Sequence, residues 1–316
     1  MRTSSAEASF AIDSNRGILM AGPSQVSKPT QGSVLIRRAT PADAESCGII
    51  CFEAFGKLAA HHNFPPDFTS PEIPIRVLST MFSHPGFFCV VAEQGGNVIG
   101  SNCLDERTPI AGVGPITIDP AAQNRTAGRQ LMETVMQRAT EKKFAGIRLV
   151  QATYHNRSLS LYAKLGFVVR EPLACMQGPA IRKILTGYQV RPTQEGDLTI
   201  CNGLCVRVHG HDRGGELSDA IRQKTAVVAE RDGRITAYAS SVAFFGHVVG
   251  EANDDVQALI AAASEFGGPG ILVPTRNAEL FRWCLENGLR VVQPATLMTI
   301  GLYNEPAGAY LPSILF

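Results

Sequence analysis

The chain has 316 residues, enough for two cores of ordinary size, with 45% hydrophobic residues, 18% charged residues and a formal net charge of +1. That balance excludes a disordered polar chain and a surface built to hold a polyanion, so no nucleic acid partner is expected. No apolar run approaches the roughly 18 residues that span a bilayer, so no membrane partner is expected either. Residues 1–33 are rich in Ser, Ala and Gly without periodicity and read as a flexible tail, and Glu7 and Asp13 argue against a transit peptide.

The first β-α unit opens at Arg38-Ala39-Thr40-Pro41-Ala42-Asp43, a strand end followed by a Thr cap. Residues 61–75 carry Pro65, Pro66, Pro71 and Pro74 with Phe64 and Phe68, and read as a stiffened loop. VVAEQGGNVIG from Val90 reads as strand, Gly turn and strand, and the second strand, 98–104, ends at the acidic pair Asp105 and Glu106. Residues 114–118, with Ile116, Thr117 and Ile118, read as an apolar strand that runs into a turn of small and polar residues. The helix that follows has the stripe Leu131, Val135 and Ala139, joined by Met132 and Met136. Amides in the first turn of such a helix lack intrahelical partners and sit at its positive end, which suits a pyrophosphate. Residues 149–169 read as a strand, a short helix capped by Asn156 or Ser158 and ended by Gly166, and a strand at 167–169.

The second half repeats the first. Arg191-Pro192-Thr193-Gln194-Glu195-Gly196-Asp197 echoes the opening of the first β-α unit, and VVAERDGRITA from Val227 echoes VVAEQGGNVIG without a gap. Glu251-Ala252-Asn253-Asp254-Asp255 stands at the counterpart of the anion turn, where three carboxylates would repel a phosphate while capping the helix themselves. Eight cysteines without a CxxC pair read as buried reduced thiols in a reducing compartment, which points to the cytoplasm. The pairs His61-His62 and His209-x-His211 lack acidic or thiol companions, so no metal is expected.

The two segments around residues 116–131 and 149–169 resemble the GNAT superfamily of acetyl-CoA-dependent N-acetyltransferases. Gln123, Thr126 and Gly128 match its phosphate loop, Gln/Arg-x-x-Gly-x-Gly/Ala, with Thr126 where glycine is usual. Asn156, Tyr162, Gly166 and Phe167 match its second motif, N-x(5)-Y-x(3)-G-F. The resemblance implies an α/β fold of α+β type, a mixed twisted sheet flanked by helices, in two tandem GNAT-like domains. Their expected bounds are 34–180 for a catalytic domain and 188–305 for a degenerate one, with 306–316 an apolar tail that docks on a domain. The degenerate domain would shape the acceptor site or a subunit interface, which leaves room for a homo-oligomer. In its motif-like segment, Phe281 or Trp283 stands where a proton donor would be.

The implied reaction is direct transfer of acetyl from acetyl-CoA to a primary amine, for which a small molecule is expected. Gln123 and the amides of Asn124, Arg125, Thr126, Ala127, Gly128 and Arg129 would hold the pyrophosphate. Ile116, Thr117 and Ile118 would bond the pantetheine arm, Asn156 would order it, and Tyr162 would protonate the leaving thiolate. Asp105 and Glu106, at a strand end beside the expected acceptor cleft, are the candidate general bases. Residues 61–75 and 105–112 would wall the acceptor. The alternative class is a non-catalytic acyl-CoA-binding sensor or structural subunit.

Overall fold

The computed structural model describes residues 33–123 and 126–315, so most of the expected tail, together with Asn124 and Arg125, lies outside the described residues. In chain order the first half consists of β1 (Leu35–Arg38), α1 (Ala44–His61), α2 (Glu72–Ser83), β2 (Phe87–Gln94), β3 (Asn97–Asp105), β4 (Ile110–Val113), β5 (Thr117–Ile118), α3 (Ala127–Glu141), β6 (Gly146–Ala152), α4 (Asn156–Lys164) and β7 (Val168–Gln177). The second half consists of β8 (Tyr188–Pro192), α5 (Leu198–His209), α6 (Gly214–Arg222), β9 (Val227–Arg231), β10 (Arg234–Ala239), β11 (Val248–Gly250), α7 (Asn253–Ala262), β12 (Ile271–Pro274), α8 (Ala278–Glu286), β13 (Arg290–Gly301) and β14 (Ala309–Leu311). Two expected boundaries move. The loop over 61–75 gives way to α2 at Glu72, because Pro74 falls in a first turn where its missing N–H costs nothing. The strand expected over 114–118 is broken: Gly114 has φ 142°, and only Thr117–Ile118 pairs, with β3.

The internal repeat is visible in side chains. Arg37 on β1 donates to both carboxylate oxygens of Asp43, at 2.8 and 2.7 Å, and to Glu93 on β2 at 2.7 Å. Arg191 on β8 does the same to Asp197, at 2.7 and 3.0 Å, and to Glu230 on β9 at 2.6 Å. The repeat is therefore registered on Arg37 rather than Arg38. The Arg37 guanidinium, the chief cause, holds the Asp43 carboxyl down at about 2. Four residues beyond each aspartate comes a fully buried cysteine pair, Cys47 and Cys51 on α1, Cys201 and Cys205 on α5. All eight cysteines are free and buried.

The halves are knit by an exchange of strands. The large sheet runs β1-β2-β3-β4-β6-β13-β7-β12. Strand β13, from the second half, lies between β6 and β7 of the first, with Leu297 opposite both Val150 and Glu171. Strand β7, from the first half, lies in turn between β12 and β13 of the second, with Leu272 opposite Cys175. Each half thus takes one central strand from the other. Both cores depend on it: Met298 and Ile300 of β13 pack with Leu131, Val135 and Tyr162, while Ala174 and Met176 of β7 pack with Leu259, Ile260 and Leu280. Met176 and Met298 are at most 1% exposed, and burying each contributes about 1.5–3 kcal/mol. Two glycines admit the guest strands. A Cβ on Gly146, where β6 begins, would lie 2.8 Å from the Leu302 carbonyl, and one on Gly270, just before β12, would lie 2.1 Å from the Met176 carbonyl.

The halves differ beside their fourth strands. In the first, β4 pairs in parallel with β6 only from Ile110 to Gly112, after which β5 turns back to β3 and the strands part. In the second, the tail strand β14 pairs antiparallel with β11, Val248 opposite Leu311 and Gly250 opposite Ala309, and packs beside β12. The apolar tail thus fills the opening that the first half leaves free. With two strands exchanged, the halves cannot unfold separately: calorimetry of the full chain is expected to give one transition with equal calorimetric and van't Hoff enthalpies, and a chain cut after residue 180 to give none. Two separable transitions would contradict this interlock.

Candidate active site

A cavity of about 890 Å³ occupies the opening between β4–β5 and β6. Its walls include Ile116, Thr117, Ile118, Gln123, Thr126, Ala127, Gly128, Arg129, Asn156 and Tyr162, which separate stretches of sequence bring together. At one end stands the start of α3. Gln130 N–H donates to the Thr126 carbonyl at 3.1 Å, so the amides of Ala127, Gly128 and Arg129 precede the first helical bond and face no intrahelical acceptor. The N-cap Thr126 has φ 66° and ψ −14°, the left-handed conformation that glycine adopts freely and that crowds a β-branched side chain. The usual glycine at this place therefore has a geometric reason. Arg157, in the first turn of α4, donates to the Gln123 side chain at 2.9 Å and ties the two motif loops together. With Arg129 it makes this end of the cavity cationic.

The middle of the cavity contains orphaned polar groups. Thr117 Oγ1 on β5 and both amide atoms of Gln151 on β6 are buried, line the cavity, and have no hydrogen-bond partner among the described residues. A buried polar group without a partner costs about 1–3 kcal/mol, so these atoms mark where a ligand with amide donors and acceptors fits. Tyr162 is 6% exposed, its ring lying edge-on to Phe167 at 6.1 Å between centroids. Burial pushes its phenol up to about 12, against the lowering effect of a hydrogen bond with Ser158. Ser158 Oγ in turn lies 2.7 Å from His155 Nδ1, and burial holds that imidazole below its ordinary value.

Two expected residues are elsewhere. Asp105 sits opposite Gly112, on the paired side of the opening, and accepts from Arg107 Nε at 2.9 Å; Arg107 continues to Asp219 on α6 at 2.8 Å. Glu106 accepts from Arg138 on α3 at 2.6 and 3.0 Å. Neither lines the cavity, where they were expected as bases: both carboxylates are bound to guanidinium groups away from it. The carboxylate that does line it is Asp67, between α1 and α2, which with Gln151, Tyr154 and Arg157 was missed in the sequence. A lone acid among prolines and phenylalanines, and a glutamine inside an apolar strand, are the signals that could have found two of them.

In the second half the counterparts are spent on the protein itself. Asp255, fully buried in the first turn of α7, accepts from the Ala252 amide at 2.8 Å and the Tyr188 hydroxyl at 2.9 Å. Asn277, before α8, accepts from the Leu280 amide at 3.2 Å and donates to Asn253 at 2.8 Å. Phe281 and Trp283 pack against the core and offer no acid.

Residues 57–167 match the acetyltransferase (GNAT) family model. No curated protein matches the sequence. Among solved structures, a candidate acetyltransferase from Pyrococcus horikoshii superposes with a TM-score of 0.69 at 19% identity, covering 90% of this chain and 96% of its own. A GCN5-related N-acetyltransferase from Sphaerobacter thermophilus gives 0.58 at 15%, covering 86% and 96%. A tandem GNAT protein from the clavulanic acid biosynthesis pathway gives 0.51 at 12%, covering 85% and 98%. These likenesses extend the GNAT fold over both halves, and the family match makes the first an N-acetyltransferase domain with acetyl-CoA as its acetyl donor.

The left-handed Thr126 gives a prediction. Relief of a cost of about 1–2 kcal/mol, less the extra freedom glycine gains in the unfolded chain, should make Thr126→Gly more stable by about 0.5–1 kcal/mol in urea titrations. Thr126→Ala, which keeps a Cβ at that φ, should gain much less.

Proposed function

We propose that this chain acetylates a primary amine of small size by direct transfer from acetyl-CoA, with one donor site per chain. The observation that carries this reading is the convergence on one cavity of the free amides of α3, the orphaned Thr117 and Gln151, and Tyr162. The amides of Ala127, Gly128 and Arg129, with the cationic Arg129 and Arg157 nearby, suit the pyrophosphate. Thr117 Oγ1 and the Gln151 amide suit the two amides of the pantetheine arm, and Asn156 lies on the same wall. When bound, acetyl-CoA supplies an activated acyl group and a thiol leaving group.

Tyr162 serves the leaving group as a hydrogen-bond donor. A phenol held at about 12 stays protonated at any working pH. Burial makes this phenol a weaker acid than a free tyrosine, so hydrogen-bond donation to the departing sulfur without complete proton transfer is the favoured role. That refines the general-acid role expected from the motif. Ser158, one turn before Tyr162 on α4, bonds to it and to His155, and so keeps the hydroxyl oriented.

The second reading, a sensor that binds acyl-CoA without turnover, is separated by the same measurements. Acetyl-CoA at a hundredfold its Kd is expected to add about 2.7 kcal/mol of stability, seen as a raised melting temperature. Tyr162→Phe should bind acetyl-CoA as the wild type does and lose about 10- to 100-fold in kcat. Since the phenol does not ionise below about 12, kcat should show no alkaline fall from Tyr162 between pH 8 and 10. A melting shift with no turnover on any amine supports the sensor; no shift sinks both readings.

A further inference from the structure

Away from the α3 end the cavity changes character. Its wall there is apolar: Phe55 and Leu58 of α1, Phe68 before α2, Phe244 and Phe245 between β10 and β11, and Leu315 of the tail. Among the described residues Asp67 is the one carboxylate of the whole lining. Its Oδ1 accepts from Gln293 Nε2 at 2.7 Å, and Gln293 Oε1 accepts from the Tyr154 hydroxyl at 2.9 Å. Gln293 comes from β13, so the exchanged strand holds this carboxylate in place. Oδ2 has no bond among the described residues.

We infer that the acceptor is a primary amine on an apolar body, an arylalkyl or alkyl chain, whose ammonium group pairs with Asp67. This deepens the reading of acetyl transfer in the same cavity and rests on it. A half-buried carboxylate with a single neutral donor is left short of partners, and a cationic group supplies both charge and hydrogen bonds. One acid among phenylalanines and leucines serves one ammonium. A polyamine would bury a second cation against apolar wall with nothing to pair it, and an alcohol of the same shape would leave Asp67 uncompensated.

The same contact supplies the base. The ammonium passes one proton to Asp67 Oδ2, and the freed nitrogen lone pair forms the C–N bond while the C–S bond breaks. The second nitrogen proton neutralises the departing thiolate, and Asp67 returns its proton to water. Amide, CoA thiol and one proton leave. Burial raises the Asp67 carboxyl above the usual carboxylate range, towards a working base, and the Gln293 bond pulls it back. Cys51 on α1, Tyr154 after β6 and Cys175 on β7 feel its charge, and Lys57, His61 and His62 line the same cavity.

Calorimetric titration of the full chain with 2-phenylethylamine, with CoA present, tests the inference without turnover. Wild type is expected to bind the amine and to reject both 2-phenylethanol and spermidine. Asp67→Asn should weaken amine binding about 10- to 100-fold while leaving CoA affinity and melting temperature unchanged. Gln293→Leu removes a bond that lowers the Asp67 pKa, so the acidic limb of amine binding should move to higher pH. Equal amine affinity in wild type and Asp67→Asn, or preference for spermidine or the alcohol, overturns the inference while CoA binding leaves acetyl transfer standing. If CoA binds none of the proteins, both fall together.

Discussion

The backbone ladder between β7 and β13 is the constraint on which the rest of the molecule depends. Each strand sits in the core of the half that did not encode it, so neither core is complete until both are in place. The ladder also builds the cavity. By lying against β6, strand β13 fixes the edge from which Gln151 points inward, and it carries Gln293, Pro294 and Ala295 into the lining. A single structural element therefore stabilises both halves and places second-half residues in the wall of the first half's cavity.

What the sequence reveals follows from how local each cause is. The stripe of α3 is legible because its period is set within one helix, and Leu131, Met132, Val135 and Ala139 are all buried. Gly128, Asn156 and Tyr162 are legible because their spacing carries a motif. The strand expected over 114–118 fails because Gly114 and Pro115 interrupt it and only the β3 partner decides which residues pair. The strand exchange leaves no local trace, since VVREPLACMQ patterns as a strand whichever neighbours flank it. Asp67 escapes for the same reason: the residue that positions it, Gln293, lies 226 positions further along the chain. Asp105 and Glu106 stand out by their position at a strand end, but it is the fold that brings Arg107 and Arg138 onto them.

The two copies show how a shared framework is reused for opposite ends. The Arg37–Asp43–Glu93 network recurs atom for atom at Arg191–Asp197–Glu230, and the buried cysteine pairs recur behind it. Where the copies diverge, they do so at the opening beside the fourth strand. One copy keeps it open, with unsatisfied polar groups along its sides. The other fills it with β14 and satisfies its helix start with Asp255. The plugged copy is not idle: its Phe244 and Phe245, and the tail that continues to Ile314 and Leu315, finish the wall of the open one.

The exchange also fixes when the protein can mature. A conventional amino-terminal domain closes as soon as its last residue leaves the ribosome, but here β6 and β7 must wait for residues 290–301 to emerge. At about 5–20 residues per second that wait is roughly 6–25 s, during which two central strand edges stand open on the nascent chain. Residues 290–301 must therefore emerge before the cavity can be completed, and a ribosome stalled ahead of them carries no finished cavity.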